Sequence, residues 1–146
     1  MFKKQKKLVT IFALLALILS SGSNVSAATI GQDTTNPISV QSVNTAVASA
    51  SIGISASGTA SMSASVVGEI GTTKIKMTIT LQKYNSASKT WTNVNSWEKT
   101  ANSTFAAFET SFKLGSKGTF RTKLTSTVWR NGKAETITLT SGSKTY

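Results

Sequence analysis

From Ser51 onward the chain repeats with a period of two. Ile52, Ile54, Ala56, Ala60, Met62, Ala64 and Val66 fall on even positions, with Ser51, Ser55, Ser57, Thr59, Ser61, Ser63 and Ser65 between them. Successive side chains of a strand point to opposite faces, so this pattern predicts strands with one dry face and one wet face. The run is too long for one ordinary strand, and Gly58 divides it into two strands or one strand bent at a bulge. No stretch beyond residue 27 carries apolar residues at three-and-four spacing over two turns, which excludes helix as a major element.

The same alternation continues. Thr73 to Tyr84 puts Ile75, Met77, Ile79 and Leu81 on one face, with Lys74, Lys76, Thr78, Thr80 and Gln82 on the other. Trp91 to Lys99 is read as a shorter strand in which Trp91 and Trp97 share a parity that Val94 opposes. Phe105 to Leu114 turns Ala106, Phe108, Phe112 and Leu114 inward, and Gly115 to Gly118 is a loop. Asn131-Gly132 lies between two alternating runs, and both residues tolerate the positive φ of a two-residue hairpin turn. That turn places Arg130 opposite Lys133, Val128 opposite Glu135, Ser126 opposite Ile137 and Leu124 opposite Leu139. Leu124, Val128, Ile137 and Leu139 then share one face, as burial demands. About seven strands follow, with Ser and Thr supplying 40 of the 118 residues from Thr29 on to cover the wet faces. The expected fold is an antiparallel two-sheet sandwich of the immunoglobulin or fibronectin type III kind over residues 51–146. A small barrel or jelly roll is the alternative.

The N-terminal part reads differently. Lys3, Lys4, Lys6 and Lys7 precede an uncharged apolar run, Leu8 to Leu19, and then small polar residues. This is the pattern of a secretory signal peptide helix over residues 1–27, too short in its apolar part for a spanning helix. Val25-Ser26-Ala27 permits cleavage after Ala27, and Ser26-Ala27-Ala28 permits it one residue later. Residues 28–50, with the only proline at Pro37, are read as a flexible linker or pro-segment, with an added edge strand as the other option. There is no cysteine, hence no disulfide and no thiol for a lipid anchor, and Ser141 to Tyr146 is polar. A freely secreted, extracellular product is expected, with no membrane span after cleavage.

Several short motifs carry a resemblance: Ser57-Gly58-Thr59-Ala60, Leu81-Gln82-Lys83, Trp91 with Val94 and Trp97, Lys117-Gly118-Thr119-Phe120-Arg121, and Gly132-Lys133-Ala134-Glu135-Thr136. From about Ser55 to Leu139 the chain resembles a group of small secreted Gram-positive bacterial β-sandwich proteins without assigned function. In that group an aromatic residue, often Tyr, follows the Gly-Thr pair, and Phe120 stands in its place here. The resemblance implies location and fold, and no activity.

The absence of His and Cys removes the commonest general base, the thiol nucleophile and the usual zinc and haem ligands. A Ser-Lys pair, or a carboxylate pair among Glu69, Glu98, Glu109 and Glu135, would be the remaining hydrolytic routes, and neither has supporting context. No enzyme, cofactor or metal is expected. The candidates are for binding. Residues 51–146 carry twelve Lys and Arg against four Glu, a formal charge of +8, and every one of those cations lies at or beyond Lys74. Lys74 and Lys76 on one strand and Arg121 and Lys123 on another share the outward parity. Beside neighbouring strands they would form one stripe, extended by Arg130 and Lys133 at the hairpin tip, for an anionic wall polymer, a glycan, a headgroup or a protein surface. Trp129 lies on the same outward parity, and Trp91 and Trp97 are split between core and contact roles. The plain alternative is a solvated face whose lysines deter edge-to-edge association. Surface binding at the cell envelope is the leading expectation, a cationic bacteriocin-like antagonist the second, and an inert matrix protein the third; nucleic acid is the least expected partner.

Mass spectrometry of protein recovered from culture medium is expected to show Ala28 or Thr29 as the first residue. Recovery solely as a membrane-associated chain that still begins at Met1 would contradict the export reading.

Overall fold

The computed structural model describes residues 42–146. The leader read over 1–27, and residues 28–41 of the linker, lie outside the described residues. Within the described residues the chain is all-β, with no helix and therefore none long and apolar enough to cross a membrane. The strands are β1 (Thr45–Ile54), β2 (Thr59–Gly68), β3 (Thr72–Asn85), β4 (Thr90–Ala101), β5 (Phe105–Lys113), β6 (Thr119–Arg130), β7 (Lys133–Thr140) and β8 (Lys144–Thr145). One sheet has the order β1-β2-β5; the other has the order β4-β3-β6-β7, with β8 beside β6. Every pairing is antiparallel.

The alternation decides the inward faces. Ala48, Ala50 and Ile52 of β1, Met62 and Val66 of β2, Ile75 to Leu81 at odd positions of β3, and Leu124 and Val128 of β6 are buried in one cluster fed by both sheets. Ile137 and Leu139 of β7 join it. The hairpin register follows the expectation residue by residue, with Arg130 paired to Lys133 and Leu124 to Leu139. Asn131 at φ 50° and Gly132 at φ 75° both occupy the left-handed region that the turn demands.

Three features refine the expectation. β1 starts at Thr45, so residues 45–50, read first as the end of a linker and otherwise as an edge strand, belong to a strand at the edge of its sheet. Their polarity hid a strand whose inward residues are only alanines, Ala48 and Ala50. Of the two options for the run 51–66, the two-strand one is found, with Gly58 in the turn between them, where the Ser55 backbone N–H and carbonyl engage Thr59 and Gly58. The polar tail 141–146 is not featureless. After β7 ends, the Ser141 hydroxyl accepts from the Thr122 N–H, and β8 resumes the edge of the sheet opposite Thr119 and Phe120.

Three contacts join the sheets at their flanks. The fully buried Thr122 donates from its hydroxyl to the Ser51 carbonyl at 3.1 Å. On the other side Lys99 donates to the Ala107 carbonyl at 2.8 Å, and Trp97 packs edge-on against Phe112 with centroids 5.9 Å apart. The hydroxyls of Thr45, Thr72 and Ser126 are buried without a partner among the described residues.

Gly58 has φ 81°, and a Cβ there would run into the ring of Tyr146. Gly53 has open space at the same position. Gly58→Ala is expected to cost about 1–3 kcal/mol, a fall of roughly 5–15 °C in Tm, through backbone strain and the ring clash. Gly53→Ala is expected to stay within about 1 kcal/mol of the parent. Thermal denaturation of both variants followed by circular dichroism checks this; equal melting temperatures would contradict it.

Candidate functional site

The outward face of the β4-β3-β6-β7 sheet carries Lys74, Lys76, Arg121 and Lys123 together with Tyr84, Trp91 and Trp129. β3 and β6 run antiparallel, so Lys74 and Arg121 lie far apart along the face although their strands are neighbours. Lys74 pairs with Trp129, Lys76 with Thr127, Thr78 with Thr125, Thr80 with Lys123 and Gln82 with Arg121. The interval from the first pair to the last is eight residues along β3, about 26 Å of extended chain. Between the ends the face is paved with hydroxyls: Thr125 and Thr127 pair with Thr138 and Thr136 of β7, and the Thr127–Thr136 oxygens are 2.9 Å apart.

At one end of this face, Lys74 Nζ sits 3.9 Å from the centroid of the Trp129 ring, an attraction of about 0.5–1 kcal/mol at a surface site. Lys76 is not a free cation. It is 3.1 Å from Glu98 on β4, and that contact, with the Thr78 hydroxyl, holds the Glu98 carboxyl below its ordinary range. The pair is exposed and screened, so it reduces the local positive charge without adding much stability.

The other end has a feature that the alternation concealed. Leu81 pairs with Asn95 but Gln82 pairs with Asn93, leaving Val94 as an extra residue in β4, pushed out to 40% exposure. A one-residue bulge reverses the parity of everything beyond it. Trp97 therefore faces inward against Ile79 and Phe112, while Trp91 faces outward beside Tyr84. The expectation that Trp91 and Trp97 share a face is corrected by that single residue. Trp91 and Tyr84 have centroids 5.2 Å apart, and the Arg121 guanidinium lies 4.2 Å from the centre of the Trp91 ring.

Beneath Arg121 is Gln82, on the outward parity yet only 6% exposed. Its amide nitrogen donates to Asn93 Oδ1 at 2.8 Å, and its carbonyl oxygen accepts from Arg121 Nε at 2.9 Å. The bulge opposite Leu81 and Gln82 brings Asn93 into register for the first of these bonds. Burial pushes the Arg121 guanidinium below the ordinary arginine value.

The expected extension of the stripe at the hairpin tip does not occur. Arg130 and Lys133 lie on the opposite parity from Trp129 and Lys123, because the paired residues flanking a two-residue turn share a face with Val128 and Glu135. Arg130 donates from Nε to the Ile70 carbonyl and from Nη1 to the Val43 carbonyl. It belongs to a latch on the N-terminal segment. Asn44, 6% exposed, donates through its side chain to the carbonyls of Val128 and Lys133, while Glu135 accepts from the N–H groups of Val43 and Asn44.

Of the expected residues, Lys74, Lys76, Arg121, Lys123 and Trp129 thus share one face, and Arg130 and Lys133 do not. Tyr84, Gln82, Trp91 and Asn93 were missed as a group. Their only local signal is the polar Asn93, Asn95 and Ser96 around Val94, and nothing there marks the bulge. The other sheet's outward face is chemically plainer, with Ser49–Ser65 and Ser51–Ser63 hydroxyl pairs at 2.7 Å beside Glu109, and an apolar row of Val47, Val67 and Phe105. No protein-family model, curated protein or solved structure matches the chain.

The Ser42 hydroxyl and the Asn44 N–H, followed by the Val43 N–H, hold the Glu135 carboxyl below its ordinary value of 4.5. A folded-state value below the unfolded one gives stability that is present above about pH 4.5 and is lost as pH falls through the folded value. Amide protection factors at residues 43–45 are expected to fall below that pH in the parent, and to be low with little pH dependence in Glu135→Gln. Identical protection in the two proteins at pH 7 would contradict the latch.

Proposed function

We propose that the protein is an exported, non-enzymatic β-sandwich that holds an anionic polymer of the cell surface along the outward face of the β4-β3-β6-β7 sheet. The export part rests on the leader pattern over residues 1–27, and the absence of His and Cys supports a binding role over a catalytic one. The strand order supports a fibronectin type III arrangement over an immunoglobulin constant one, since β4 pairs with β3 and not with β5.

The observation that carries the binding reading is the placement of a stacked cation and indole at each end of one face, Lys74 on Trp129 and Arg121 on Trp91, with Lys123 between them. A purely solvated face has no use for two partly exposed tryptophans, which are costly in water unless they meet a partner. A linear polyanion spans both ends, gaining from several screened charges at once and from aromatic contact at two points.

Co-sedimentation of the purified protein with isolated cell wall tests this. Retention is expected at about 20 mM salt and is expected to fall steeply by about 500 mM, where the screening length shrinks from roughly 20 Å to roughly 4 Å. The double variant Lys74→Gln/Lys123→Gln is expected to be retained less at low salt. No retention of the parent at low salt would overturn the reading, and dye release from anionic vesicles with no wall binding would replace it with a membrane-active one.

A further inference from the structure

Resting on that reading, the end of the face near Arg121 defines a narrower ligand. Two contacts constrain one guanidinium, and a third bond fixes one of its partners. The Trp91 ring fixes its position by stacking at 4.2 Å. The buried Gln82 carbonyl takes Nε–H at 2.9 Å, and Gln82 is itself fixed by Asn93. Rotation of the group about its own axis is thereby stopped, and one of its two hydrogen-bonding edges is consumed. Neither Nη nitrogen has a hydrogen-bond partner among the described residues. What remains is an end-on fork of two parallel N–H groups, held in a plane and directed away from Gln82.

A flexible lysine attracts any nearby anion, whereas a braced guanidinium selects for geometry. Two parallel N–H donors fit a group that presents two oxygens side by side, as a carboxylate or a phosphate does, and binding is tighter because the fork is ordered beforehand. Trp91 and Tyr84 stand next to this fork, offering the aromatic surface against which a sugar ring packs. We propose that Arg121 takes the carboxylate of an acidic sugar end-on, with Gln82 as its positioning residue and Trp91 and Tyr84 beside the ring, so that the polymer the face holds is a carboxylated polysaccharide.

Calorimetric titration of the whole processed protein with a galacturonate hexamer, with its fully methyl-esterified form and with poly(glycerol phosphate) separates the possibilities. The acid hexamer is expected to bind most tightly, and the ester, which keeps the rings and loses the charges, at least about tenfold more weakly. Arg121→Lys keeps the charge and removes the fork; Gln82→Met keeps Arg121 and removes its brace. Each is expected to weaken the acid hexamer about tenfold while leaving the slope of affinity against salt unchanged. Circular dichroism establishes that each is folded, and the second variant stands alone should the first not fold. The inference is overturned if both variants bind the acid hexamer within about twofold of the parent, if acid and ester bind equally, or if poly(glycerol phosphate) binds more tightly than the hexamer. Each of these results, with the parent still retained on cell wall at low salt, leaves the general anionic-polymer reading standing. Failure of the parent to bind any polyanion removes both.

Discussion

With no cysteine in the chain, the two sheets are held by a single layer of apolar side chains between them. Every strand that lines this layer must keep the same parity inward along its buried length, because a slip of one residue would carry the whole apolar set to water. The requirement acts on pairs of strands. Leu124 and Val128 set where β7 must put Ile137 and Leu139, and the Asn131-Gly132 turn supplies the only offset that satisfies both. Small residues serve the edge: Ala48 and Ala50 let β1 lie close over the β6 flank, where Thr122 reaches the Ser51 carbonyl.

The same rule explains why one inserted residue has a large chemical effect. β4 is largely exposed, with Trp97 and Ala101 its only members packed on the core, so it tolerates a bulge at Val94 that a central strand would not. Beyond the bulge, Trp91 leaves the core side and meets Arg121 on β6 across β3. The aromatic end of the outward face is thus a consequence of weak burial in β4, at little cost to the interior.

The cations of the fold fall into separate roles once their partners are considered. Lys76 is neutralised by Glu98, Arg130 ties the N-terminal segment to the hairpin, and Lys99 covers a carbonyl of β5. Lys74 and Arg121 are stacked on indoles and keep their charge toward solvent. A formal charge of +8 over residues 51–146 therefore overstates what one face can present to a partner.

The all-β class, the inward parity of β2, β3, β6 and β7 and the register of the last hairpin were legible in the residues, because they follow from local alternation and a two-residue turn of known geometry. The start of β1 was not, since two buried alanines among serines look like a linker until a neighbouring strand makes them a face. Nor were the roles of Trp91, Arg130 and Gln82. Those depend on how far strands are offset against each other, and offsets are set by contacts between residues distant in the chain, such as Gln82 with Arg121 or Val43 with Arg130. Period-two reading assigns a side to each residue within one strand; only pairing across strands decides which side chains meet.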